Sequence, residues 1–161
     1  MRALIIMLAL LVGTTTFALG QARLGTPGYD AYELGDYETA LKHWLVEAEA
    51  GDADIQARIA LMYLLGEGSE KNLQQAARWF GESAEQNFGK AQYQLGRLYA
   101  SGIGVEQDDV KAFVMMSAAI ENGSPRATTD LEIVVARLSA DQKAVAEKKL
   151  AEWWQAHPLE V

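Results

Sequence analysis

Residues 55–123 hold one helical hairpin written twice. Shifted by 36 residues, the segment matches itself at Gln56/Gln92, Tyr63/Tyr99, Gly66/Gly102, Gly68/Gly104, Glu70/Glu106, Ala76/Ala112 and Glu85/Glu121. A fixed period of this size marks a repeat array, in which each unit buries its apolar face only against its neighbours. The register also runs outside the doubled segment. Asp36, Asn72 and Asp108 fall 36 apart as helix caps, followed by Ala40, Ala76 and Ala112, then Trp44, Phe80 and Met116, then Ala48, Ala84 and Ile120. Gly51, Asn87 and Gly123 close the same three helices, so three second helices share one pattern.

In the two complete hairpins the first helices, about 55–65 and 91–101, carry Ile55, Ile59, Met62 and Tyr63, answered by Ala91, Leu95, Leu98 and Tyr99. Spacing by threes and fours puts each set on one face. Gly66 and Gly102 follow the last apolar residue, where a left-handed C-terminal cap belongs. Gly68 and Gly104 then steer a short loop into the caps Asn72 and Asp108. Gly96, with Ala60 as its counterpart, is a mid-helix glycine, which costs about 1 kcal/mol relative to alanine. That cost is offset if Ala112 or Ala76 of the partner helix needs the space.

The flanks follow the same logic. Thr26-Pro27 offers a cap and first-turn proline to a brief helix ended by Gly35. Ser124-Pro125 does so for a helix to about residue 137, with Ala127, Leu131 and Val135 in the packing register; there Glu132 takes the Gly96 slot and no Gly-x-Gly loop follows. Ser139-Ala140-Asp141-Gln142 forms a capping box for a terminal helix to about residue 156. Ala146, Leu150, Trp153 and Trp154 make its apolar side, one tryptophan sealing the core and the other at its rim, because adjacent residues point about 100° apart. The expected fold is all-α: a right-handed α/α solenoid of about three helix-turn-helix repeats (about 27–51, 55–87 and 91–123), then a degenerate repeat and C-terminal capping helix over 125–156.

Residues 1–22 have the order of a secretory signal peptide: Arg2, an aliphatic run from Ala3 to Val12, a polar break, then small residues at Ala18, Gly20 and Ala22. The apolar run is too short to span a bilayer, which takes roughly 20 residues. Cleavage after Gly20 or Ala22 would leave a repeat domain of 23–161 and no membrane span. With no cysteine, lipid anchoring and disulfides are both excluded, so packing alone stabilises the exported chain. Loss of residues 1–22 removes Arg2 and leaves 13 bases against 22 acids, a net charge of −9. Such a surface disfavours nucleic acid.

Chemistry is sparse. The two histidines, His43 and His157, and the missing cysteines give no zinc pattern. Gly66-Glu67-Gly68 and Gly102-Ile103-Gly104 link helix to helix, whereas a dinucleotide loop follows a strand. No serine sits in a Gly-x-Ser-x-Gly elbow. We therefore expect no enzyme, no cofactor and no metal.

The run from Ala91 to Val105, AQYQLGRLYASGIGV, resembles the signature of Sel-one-like repeats, relatives of the tetratricopeptide repeat; Asp109-Val110-Lys111-Ala112 and Ala118-Ala119-Ile120-Glu121-Asn122-Gly123 fit as well. The repeat over 55–87 is looser, with Ser69, Ile55 and Ala60 in place of Val105, Ala91 and Gly96, and Glu33 to Ala40 looks more tetratricopeptide-like. The resemblance covers about residues 29–137 and implies assembly of protein complexes; exported bacterial members are commonly envelope adaptors. Joined to the leader, it implies a periplasmic or secreted location.

The arc of each first helix opposite its packing set should line the groove. It comprises Ala57, Leu61, Leu64 and Leu65; then Lys90, Tyr93, Arg97 and Ser101; then Arg126, Thr129, Ile133 and Arg137. Leucines beside four bases suit an extended or helical peptide with apolar anchors and acidic flanks. The alternatives are that the leucines pack on the first hairpin, and that the chain is a cell-wall glycan-binding module using Tyr93, Tyr99 and the tryptophan pair as stacking platforms.

Overall fold

The computed structural model describes residues 25–159, so the leader expected over 1–22 lies outside the described residues. Every regular element described is an α-helix: α1 (Pro27–Glu33), α2 (Tyr37–Glu49), α3 (Ala53–Leu65), α4 (Leu73–Ala84), α5 (Gly89–Ser101), α6 (Asp109–Glu121), α7 (Ala127–Arg137) and α8 (Ala140–Ala156). From α1 to α7 each helix packs on the next, as in an α/α solenoid. None of the described helices is long and apolar enough to cross a membrane.

Repeated local chemistry starts and stops the helices. Asp36, Asn72 and Asp108 accept from the N–H three residues on, at 3.1, 3.0 and 2.9 Å. Each such cap contributes about 1 kcal/mol relative to alanine. The first helices α3 and α5 end in left-handed Gly66 (φ 81°) and Gly102 (φ 68°), whose N–H groups return to Met62 and Leu98. Asn87 (φ 58°), in register with Gly51 and Gly123, is the one described non-glycine residue with positive φ. Asparagine tolerates that region better than most side chains.

Buried alanines set the spacing between helices, and larger groups fill it. Ala40, Ala76 and Ala112 are fully buried, as are Trp44, Phe80 and Met116 one turn later. A Cβ on Gly96 would lie 2.7 Å from Met116 Cγ and 3.4 Å from the Ala112 carbonyl oxygen, so α5 and α6 meet with no room for a side chain there. The repeated glutamines have a role that periodicity does not reveal. Gln56 and Gln92 are buried and donate to the Ala48 and Ala84 carbonyls at 2.9 and 3.2 Å, as second donors beside the Gly51 and Asn87 N–H groups at the end of the preceding second helix. Their side-chain oxygens accept from Gln86 (2.7 Å) and Asn122 (2.9 Å), again 36 residues apart.

The ends depart from the sequence reading in two ways. Thr26 stands at the N-cap of α1 without a side-chain cap bond. Ser124 and Pro125 do not begin α7; they form a backbone-bonded turn, and the helix starts at Ala127. The buried face of α7 is Ala127, Val134 and Leu138, with Leu131 and Val135 half-buried; Val134 takes the buried Met62 and Leu98 position and Val135 the half-buried Tyr63 and Tyr99 one. After the short link at Leu138 and Ser139, α8 turns back onto α6, and its tip reaches the end of α4, where His157 Nε2 meets Glu85 at 2.7 Å. The capping box at Ser139 and Gln142 is present. Trp153 packs against the core while Trp154 lines a shallow depression beside Leu150 and Leu159.

Three outcomes follow from this packing. Gly96→Leu should cost about 2–3 kcal/mol by overpacking α5 on α6, read as a lowered thermal midpoint. Gly81→Ala, at a helical glycine with open space around its missing Cβ, should gain up to about 1 kcal/mol. Equal effects would refute the close approach at Gly96. Gln92→Leu should lose about 1–2 kcal/mol in urea unfolding, since it removes a buried amide that bonds both the Ala84 carbonyl and Asn122 and leaves those two groups only their Asn87 partners.

Candidate functional site

With α3, α5 and α7 in one register, their exposed arcs form rows across the array. Asp54, Lys90 and Arg126 make one row, Arg58, Gln94 and Asp130 the next, then Leu61, Arg97 and Ile133, then Leu65, Ser101 and Arg137. Two adjoining hollows run between them. One, of about 600 Å³, lies between α3, α5 and the turn before α7; its walls include Ala57, Leu61, Phe80, Phe88, Lys90, Tyr93 and Arg126. The other, of about 380 Å³, lies between α5 and α7 and includes Leu64, Arg97, Ile103, Ile133 and Arg137. Gln94 lines both.

The residues expected in the groove divide accordingly. Leu61, Lys90, Tyr93 and Arg126 line the larger hollow, and Leu64, Arg97 and Ile133 the smaller. Leu65 and Thr129 are exposed but line neither. Ala57 is a buried floor residue, not an exposed one. Of the three leucines, Leu64 packs against the core, whereas Leu61 and Leu65 stay 37 and 62% exposed.

The electrostatics differ from a simple cluster of four bases. Tyr93 donates its hydroxyl to Asp130 at 2.9 Å, and Arg97 Nε lies 3.8 Å from the same carboxylate oxygen. Burial and then the Asp130 bond push the Tyr93 phenol above its ordinary pKa, against the opposing pull of Arg97 and Arg126. Arg137 bonds Asp109 and the Ala100 carbonyl. Arg58 donates to Asp54 at 2.9 Å and lies over the Tyr29 ring at 5.0 Å. Burial works against the Arg58 charge, but the bond and charge of Asp54 together with Tyr29 outweigh it, and the guanidinium is held above its usual pKa.

Asp130 and the Asp54–Arg58 pair were missed at the sequence level. The Arg58/Gln94/Asp130 row was there to be found, one step toward the helix N-termini from the Leu61/Arg97/Ile133 row. Among the described residues no three metal-ligating side chains come together. Apolar floors edged by cations and paired charges are equipped for recognition.

Comparison with known proteins agrees with this geometry. The Sel1 repeat family model matches residues 53–88 and 89–124. A Sel1 repeat protein from Oxalobacter formigenes is similar in structure, with 34% identity and a TM-score of 0.57 over 58% of this chain and 71% of that one. So is c5321, described as a protective antigen present in uropathogenic Escherichia coli strains and displaying an SLR fold, with 29% identity and a TM-score of 0.76 over 84% of this chain. This chain spans 31% of the length of that antigen. By the repeated hairpin and these matches, the chain belongs to the Sel1 repeat family, whose members act in general as protein–protein interaction scaffolds.

Proposed function

We propose that this chain is an exported, periplasmic or secreted adaptor that holds a segment of another protein in the groove along α3, α5 and α7. The observation that carries the reading is the pair of adjoining hollows on the first helices, with Leu61, Ile103 and Ile133 exposed on their walls. Exposed apolar side chains grouped in a concavity mark interaction sites more often than isolated ones do. Export is supported by the signal-like order of residues 1–22.

We favour a protein segment over a cell-wall glycan because two stacking platforms needed for a sugar are engaged elsewhere. Tyr99 and Trp153 pack against the core, with Trp153 stacked on His157 at 3.9 Å between ring centres. The Tyr93 hydroxyl is bonded to Asp130.

A photo-crosslinking side chain placed at Leu61, Tyr93 or Ile133 in intact cells should yield a discrete protein adduct. The same group at Val46 or Val145, exposed on α2 and α8, should not; adducts at those two sites alone would move the site off the groove. Mass spectrometry of the chain from the same cells should find an N-terminus at Gln21 or Arg23. A chain that still begins at Met1 would overturn export by cleavage.

A further inference from the structure

The groove reading says where a segment docks; the charges around the larger hollow say what kind. Arg58 is bonded to Asp54, Arg97 lies beside Asp130, and Arg137 is bonded to Asp109. In this acidic protein, three of the five cations along the groove already have an internal carboxylate. Lys90 and Arg126 have no such partner among the described residues. They occupy equivalent register positions 36 residues apart, both exposed, and both line the larger hollow.

The same hollow is lined by the Asp54–Arg58 pair and by apolar Leu61 and Phe88. The row therefore runs from negative at Asp54 to positive at Lys90 and Arg126. Of the bases along the groove, these two neighbours without a carboxylate are the ones with positive charge to offer a segment lying in it.

Resting on the groove reading above, we propose that the larger hollow selects an acidic-apolar protein segment: an aliphatic or aromatic side chain seats on Leu61 and Phe88, while a carboxylate a residue or two away along the segment pairs with Lys90 and Arg126. A basic segment is disfavoured, because it would bring a third cation against these two. The partner is thus recognised by alternation of apolar and acidic side chains, with its acidic end toward α7.

The test uses the full mature chain and short fluorescent peptides built from Leu and Glu, Leu and Lys, Leu and Gln, or Ser and Glu, with anisotropy as the readout. Only the Leu/Glu peptide should saturate, and its affinity should fall as salt rises, since half-exposed charges are screened. Lys90→Glu with Arg126→Glu, both at exposed positions, should weaken it about tenfold, the size expected for two surface pairs. The same variant should gain the Leu/Lys peptide, with an unchanged melting curve.

Equal binding of the Leu/Lys and Leu/Glu peptides, both lost in Leu61→Asp, would overturn the acidic preference and leave the groove reading standing. Leu/Glu binding that survives both Leu61→Asp and the double charge reversal would overturn both. Dextran sulfate competing as well as unlabelled Leu/Glu peptide would also overturn the proposal, because charge alone would then be the determinant.

Discussion

The Leu73 carbonyl oxygen would stand 2.2 Å from a Cβ on Gly104, and the Tyr37 carbonyl oxygen 2.3 Å from one on Gly68. Each contact joins the loop inside one repeat to the first turn of the second helix in the repeat before, and the two are 36 residues apart. At that distance backbone lies on backbone, and only glycine fits. Both glycines also need positive φ, at 72 and 73°. One residue type thus meets two demands, turning the loop and letting the next unit settle against the last. The amide pairs of Gln56 with Gln86 and Gln92 with Asn122 tie the other end of the helices in the same rhythm.

The groove follows from that stacking. Repeats that settle against one another identically bring every first helix to the same rotation, so equivalent side chains fall into rows across α3, α5 and α7. Packing faces are then constrained by Ala76, Ala112 and their neighbours, while the rows facing the groove vary in chemistry: Asp54, Lys90, Arg126 in one, Leu61, Arg97, Ile133 in another. The scaffold is conserved between units of the chain and its recognition surface is not. That division lets one fold take different partners.

Much of the scaffold could be read in advance because its determinants are local or periodic. The caps at Asp36, Asn72 and Asp108 and the left-handed glycines at 66 and 102 depend on residues within one helical turn. The ends were harder. α8 folds back onto α6, and its tip reaches the end of α4, where His157 meets Glu85, 72 residues away. No period encodes that contact. In the groove, periodicity found Leu61, Lys90, Tyr93, Arg97, Arg126 and Ile133 on the hollows but missed how they are paired. Asp130 takes both Tyr93 and Arg97 across from the next repeat, and side-chain reach between repeats is not written in helical spacing.

The central claim is that backbone contact between repeats, not loop conformation alone, fixes the array. Gly104 and Gly123 separate the two effects: both have positive φ, at 73 and 81°, but a Cβ on Gly123 would meet nothing within 4 Å. Urea unfolding of Gly104→Ala and Gly123→Ala in parallel cancels the conformational strain they share. The account predicts that Gly104→Ala loses about 2 kcal/mol more than Gly123→Ala. Equal losses in the two variants would contradict it.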